Sequence, residues 1–230
     1  MFCMNSYKSR ILRNILSSIL VVLIIGFSFI ALANISFYFL YIETNVRGFS
    51  MQPTINMNVK NESSEGDRIF INKYKLGETN DIVVAKVGWF DNYIIKRLVG
   101  TPGDKIEIKD HDTHYSLYVN DELLYSKEKT GESGMFKTGS VGYFQTYQEF
   151  LTNNKFQDYV ESDGTSTYIR LDDNEYFLMG DNWGHTLDCL SNGPIKEIEI
   201  VGKVELIIDV TNKNPFTPFN FIMKKIFSKN

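Results

Sequence analysis

The chain has 230 residues, enough for one substantial core and a smaller appended lobe. Its 43% hydrophobic and 14% aromatic content excludes an intrinsically disordered polypeptide. The formal charge of −4 hides an asymmetry, because residues 1–42 and 212–230 carry seven cations and no acid, which leaves −11 for residues 43–211. A body that acidic repels a phosphate backbone, which argues against nucleic acid as a partner. Cys3 and Cys189 stand on opposite sides of a long apolar run, so they build neither a disulfide framework nor a ligand cluster. With no zinc, calcium or nucleotide motif present, neither a metal nor a cofactor is expected.

From Asn14 to Ile42 no residue is charged, a stretch longer than the ~20 residues that span a bilayer as a helix. Lys8, Arg10 and Arg13 precede it and Glu43 follows it. The positive-inside rule then predicts a cytoplasmic segment at 1–13, one transmembrane anchor at 14–42 and an extracytoplasmic domain beyond. Tyr38 and Tyr41 suit an interfacial aromatic belt. A cleavable signal peptide has an apolar core of only ~7–15 residues and a small-residue cleavage site, neither of which fits here.

Ser50 follows in Gly48-Phe49-Ser50-Met51-Gln52-Pro53. Gly48 permits close backbone approach, and Pro53 stops a helix from continuing. A serine so placed can sit on a constrained loop with its hydroxyl and N–H turned to a reacting carbonyl, although most turn serines only hydrogen-bond locally.

Short, β-branched, alternating segments come next: 67–74, 81–87, 93–99, 105–109 and 115–120, then 175–179 and 197–210. Gly, Asp, Asn and Pro fill the gaps, and the regular spacing predicts a mainly β body built on a coiled antiparallel, barrel-like sheet. The segment 93–99 is unusual. Alternation puts Ile94, Lys96 and Leu98 on one face and Ile95, Arg97 and Val99 on the other, so each face brackets a cation with apolar residues. Arg97 must find a carboxylate, whereas a buried lysine can shed its proton and become a general base. An edge-strand lysine with its head in water is the plainer alternative.

Residues 126–142 are polar and Gly/Ser-rich and read as an exposed loop. Phe144, Tyr147 and Leu151 after them have helical spacing, which predicts a short helix in an inserted lobe of about 110–172. The tail at 212–230 sets Phe216, Phe219, Phe221, Ile222 and Phe227 beside Lys224 and Lys225, a pattern that suits a membrane surface or a solvent-exposed end equally.

In order, GFSMQPTI, GDRIFINKY, IIKRLVGTPGD, YFLMGDN, then Thr186 and Asp188, with Gly202-Lys203-Val204 near the end, resemble the type I signal peptidase family. The likeness runs over roughly residues 8–208, is weak over 110–172, and with a single anchor is similar to Gram-positive members. It implies a membrane-bound serine endopeptidase that removes signal peptides from exported preproteins. It further implies Ser50 as nucleophile, Lys96 as base, the Ser50 N–H in the oxyanion hole and Thr186 bonded to the lysine. Some relatives add a serine hydroxyl two positions before the nucleophile, where this chain has Gly48. Asp188 matches a structural aspartate, but Cys189-Leu190 stand where the family usually has Ser-Arg. Asp181 or Asp188 is therefore expected to pair with Arg97. Met51, Ile55, Ile94 and Ile95 match positions that line shallow pockets for small residues, usually alanine, at the first and third positions before the cut. The implied partners are preproteins and the lipid bilayer, with the secretion translocon as a candidate neighbour.

Two other enzyme classes and one non-catalytic class compete with this reading. A sortase-like cysteine transpeptidase shares an N-terminal anchor, and Thr186-Leu187-Asp188-Cys189 faintly resembles its signature, but no arginine follows Cys189. A self-cleaving repressor shares Ser/Lys chemistry but carries a DNA-binding segment, which is lacking here. A non-catalytic assembly factor would have lost a dyad residue, and both are present.

Overall fold

The computed structural model describes residues 2–129, 139–214 and 220–221, with side chains omitted for 2–9 and 139–141. The chain divides into two compact units, one containing the N-terminal helix and the other comprising Ile42–Thr217. The N-terminal helix, α1, spans Phe2–Leu40. Within it Arg10–Leu40 is apolar and long enough to cross a membrane, at ~1.5 Å per residue. Leucine, isoleucine, valine and phenylalanine side chains lie exposed along its length. A helix apolar on every side is stable only in an apolar surrounding. Tyr41 and Ile42, expected at the end of the span, instead open a strand, β1 (Tyr41–Asn45).

The second unit is mainly β, as its punctuated alternation leads one to expect. Most of the predicted strands appear within a residue or two: β2 (Arg68–Asn72), β3 (Ile82–Lys86), β4 (Tyr93–Gly100), β5 (Lys105–Asp110) and β6 (His114–Val119). Strand β7 (Glu122–Glu128) takes up the start of what reads as a loop, and residues 130–138 of that stretch lie outside the described residues. Two short strands, β8 (Val160–Ser162) and β9 (Thr167–Arg170), and a helix, α2 (Gly139–Thr152), complete the inserted region. After β10 (Glu175–Met179) comes a single-turn helix, α3 (Cys189–Asn192). The run at 197–210 is not one strand: β11 (Ile195–Lys196) and a 3₁₀ turn precede β12 (Ile200–Ile208). Most of the tail lies outside the described residues.

Among the described residues, seven strands form one antiparallel sheet in the order β1-β2-β12-β3-β4-β10-β11, and five form a second in the order β7-β6-β5-β9-β8. The alternation of β3 divides the core: Val83 and Ala85 enter one apolar cluster, Val84 another. The larger cluster joins β4, β5, β6, β9 and β10 to Tyr143, Tyr147 and Phe150 of α2. The smaller one gathers Val46, Met51 and Ile55 against Ile69, Ile71 and Val204, and so pins down the loop that bears Ser50.

Candidate active site

The Ser50 loop is held from both directions. Gly48 at φ +88° turns the chain in a region that suits glycine, and its N–H donates to the Glu62 carbonyl. Buried Asn56 donates its side-chain N–H to the Gly48 carbonyl at 2.9 Å, and its side-chain oxygen accepts from the Asp67 N–H at 2.7 Å. On the other side, Asn182, just past β10, donates its backbone N–H to the Ser50 carbonyl and its side-chain N–H to the Phe49 carbonyl, each at 3.0 Å. Gly180 makes this approach possible. A Cβ built there would lie 2.2 Å from Thr186 Oγ1 and 2.7 Å from the Ser50 carbonyl oxygen. Among the described residues no acceptor meets the Ser50 N–H, which is left for an incoming carbonyl oxygen.

Lys96 projects from β4 on the same buried face as Ile94 and Leu98, only 4% exposed. Its Nζ lies 2.7 Å from Ser50 Oγ and 3.1 Å from the Ile95 carbonyl oxygen. Among the described residues no carboxylate comes within ion-pairing distance of it. Burial pushes the amine below its ordinary pKa, while Asp188, Cys189 and Asp181, in decreasing order, draw it partly back up. Arg97, one residue on, points to the other face and forks onto Asp181 at 2.7 and 2.5 Å. Asp181 also accepts the Thr54 hydroxyl at 2.5 Å, which links β4 to the nucleophile loop.

Of the two carboxylates expected to compete for Arg97, then, Asp181 has it. Fully buried Asp188 is met by neutral donors: the Tyr143 hydroxyl at 2.6 Å, the Gly180 N–H at 2.9 Å, the Thr186 hydroxyl at 3.1 Å and the Leu190 N–H at 3.1 Å. Burial raises its pKa, and these hydrogen bonds together with nearby Lys96 oppose the rise. Thr186 therefore departs from its expected partner. Its hydroxyl turns to Asp188 rather than Lys96, because a buried carboxylate is the stronger acceptor.

A cleft of about 490 Å³ opens over Ser50 and Lys96. Ile94 and Ile95 line it together with Phe90, Tyr93 and Leu187. Met51 and Ile55, the other two expected pocket residues, are 2% and 1% exposed and belong to the core beneath the loop. They turn inward because Ile69, Ile71 and Val204 offer them an apolar surface there. Sequence reasoning missed Tyr143, and also the His185–Glu62 pair at the cleft rim, 2.8 Å apart. Among the described residues no group of three or more His, Cys, Asp or Glu side chains is arranged to hold a metal ion.

A family model described as signal peptidase, peptidase S26, matches residues 15–208. The chain belongs to this family. Signal peptidase IB of Staphylococcus aureus is 32% identical over 174 residues, 72% of this chain and 76% of that protein. Signal peptidase I T of Bacillus subtilis is 29% identical over 194 residues, 80% of this chain and 77% of that protein. A crystal structure of a signal peptidase I from Enterococcus faecalis covers 56% of this chain and 97% of its own, at 20% identity and a TM-score of 0.34. This S26 peptidase is a membrane-anchored serine endopeptidase that removes signal peptides. Its matched span takes in the Ser50 loop, β4 and the Gly180–Asp188 turn.

Proposed function

We propose that the peptidase cuts exported preproteins through a Ser50/Lys96 dyad, after small residues of the Ala-x-Ala type. The observation that carries this reading is the 2.7 Å separation of Lys96 Nζ and Ser50 Oγ, with the lysine buried and its pKa lowered. The neutral amine takes the hydroxyl proton as Oγ attacks the scissile carbonyl carbon. The Ser50 N–H receives the developing oxyanion. The lysine then returns the proton to the departing amine, leaving an acyl-enzyme, and activates the water that hydrolyses it. Gly48 offers no side-chain donor to the oxyanion, so the backbone carries that role. Arg97, Asp181, Asp188 and Thr186 hold the geometry, and Ile94 and Ile95 bound a shallow apolar cleft that rejects large side chains.

Residues 1–13 lie in the cytoplasm in this reading, the helix crosses once, and the catalytic body faces outward. Lys8, Arg10 and Arg13 before the span support that orientation. Confinement to the bilayer raises the effective concentration of membrane-held precursors beside Ser50. The test is cleavage of an Ala-x-Ala preprotein by the full chain in detergent. Ser50→Ala and Lys96→Ala should each lose roughly 10³-fold or more in kcat. Unimpaired cleavage by either variant overturns the dyad, and cleavage after large residues overturns the specificity.

A further inference from the structure

Tyr143 belongs to α2, in the inserted region where the family likeness is weakest, yet its hydroxyl ends on a carboxylate of the catalytic turn. The contact is short at 2.6 Å and joins residues 45 positions apart in the chain. The ring is only 5% exposed and packs on Trp183 at 4.9 Å between centroids, so its direction is fixed. The accepting oxygen, Asp188 Oδ2, is the same atom that receives the Gly180 N–H and the Thr186 hydroxyl. Gly180 in turn lies so close to both Thr186 and the Ser50 carbonyl that a Cβ there would meet each at under 3 Å. One oxygen thus gathers the backbone beside the nucleophile, and a tyrosine stands where no arginine reaches it. A purely structural core tyrosine needs only a backbone carbonyl, as Tyr147 of the same helix finds at Thr167.

We infer that Tyr143 is a positioning residue of the peptidase, acting through Asp188 on Thr186 and on the dyad, so that the inserted lobe is a working part of the active site. This rests on the Ser50/Lys96 reading above. The charged and titratable groups around the pair are few. Lys96 of β4 faces Asp188, Cys189 lies beside both, Tyr125 of β7 faces Tyr143, and Asp181, held by Arg97, faces Lys96. The Tyr143 hydrogen bond favours ionised Asp188, and ionised Asp188 draws a proton toward Lys96. Without the hydroxyl, Asp188 keeps its own proton to higher pH, and the lysine is neutral at lower pH.

The experiment compares pH profiles of kcat and KM for the full chain, Tyr143→Phe, Asp188→Asn, the double variant and Tyr147→Phe, with a thermal unfolding curve for each. Tyr143→Phe should lower kcat roughly 10- to 100-fold with KM within about twofold. The acidic limb of its profile should move to lower pH by roughly half a unit or more. Asp188→Asn should move the limb the same way, and Tyr143→Phe should add no further shift in that background. Tyr147→Phe should lower stability alone. A limb that stays in place in Tyr143→Phe or Asp188→Asn, or a shift that also appears in Tyr147→Phe, overturns the proposal. Full activity in Ser50→Ala or Lys96→Ala would instead remove the dyad on which it stands, and the two failures are separately visible.

Discussion

Arg97 and Asp181 meet through two hydrogen bonds, of 2.7 and 2.5 Å, with both side chains largely out of water. The Asp181 carboxylate also accepts the Thr54 hydroxyl, so a single charged group ties the strand of the base to the loop of the nucleophile. Removing Arg97 leaves a buried carboxylate without its counter-charge, and removing Asp181 leaves the guanidinium only its hydrogen bonds to Asn80. Asp181→Ala should cost about 3–5 kcal/mol of stability in urea titration, with activity falling in parallel. Arg97→Lys should recover little of the Arg97→Ala loss, because an ammonium cannot reproduce the fork. An Asp181→Ala variant as stable as the parent would mean that the pair holds nothing together.

The lowered pKa of Lys96 governs both rate and stability. Activity needs the neutral amine, so kcat/KM should rise with pH along a limb lying below the ordinary lysine value of 10.5. Stability follows the same sign. The unfolded chain binds the proton more tightly than the folded one, so the penalty is full below the folded pKa and is relieved as pH climbs from there toward 10.5. Lys96→Met should therefore be inactive yet more stable at neutral pH. The difference in unfolding free energy between the two proteins should shrink as the solution is made alkaline, and a gap unchanged across that window would refute the burial argument.

Gly180 has no room for a side chain. In Gly180→Ala the new methyl would press on Thr186 and on the Ser50 carbonyl, both at under 3 Å. Overpacking of this kind costs roughly 1–3 kcal/mol, and displacement of the nucleophile by about 1 Å costs on the order of 10²-fold in rate. Cleavage should thus suffer more than stability. Calorimetry beside a preprotein assay separates the two.

Cys189 is wholly buried and its thiol accepts the Leu178 N–H at 3.2 Å. Burial pushes the thiol pKa well above its ordinary value, the opposite of what a nucleophilic cysteine needs. Cys189→Ala should keep most of the activity and lose about 1 kcal/mol of stability, and alkylating reagents should leave cleavage by the native protein unaffected. Inhibition by such a reagent at this residue would revive cysteine chemistry.

Much of the site could be read from local pattern because local pattern is what placed it. The apolar bracket around Lys96 is a two-residue alternation, and β4 displays it with Ile94, Lys96 and Leu98 all buried. The loop of Ser50 announces itself by Gly48 and Pro53, but its depth does not. Met51 and Ile55 could have faced either a cleft or a core, and the choice was made by Ile69, Ile71 and Val204, which arrive from elsewhere in the chain. Tyr143 was illegible for the same reason. Its helix was detectable by spacing, whereas its pairing with Asp188 depends on how an inserted lobe folds back, which no nearby residue encodes. The run at 197–210 reads as one strand because apolar residues recur throughout it, and the turn at Glu197–Glu199 is imposed by β11 pairing with β10.

In the larger sheet β12 lies between β2 and β3, so among the described residues a strand from late in the sequence fills an interior place. Until residues 200–208 arrive, β2 and β3 have no shared neighbour, and the loop carrying Ser50 lacks the Val204 side of its support. The nucleophile loop is therefore seated only where an early and a late part of the sequence have met.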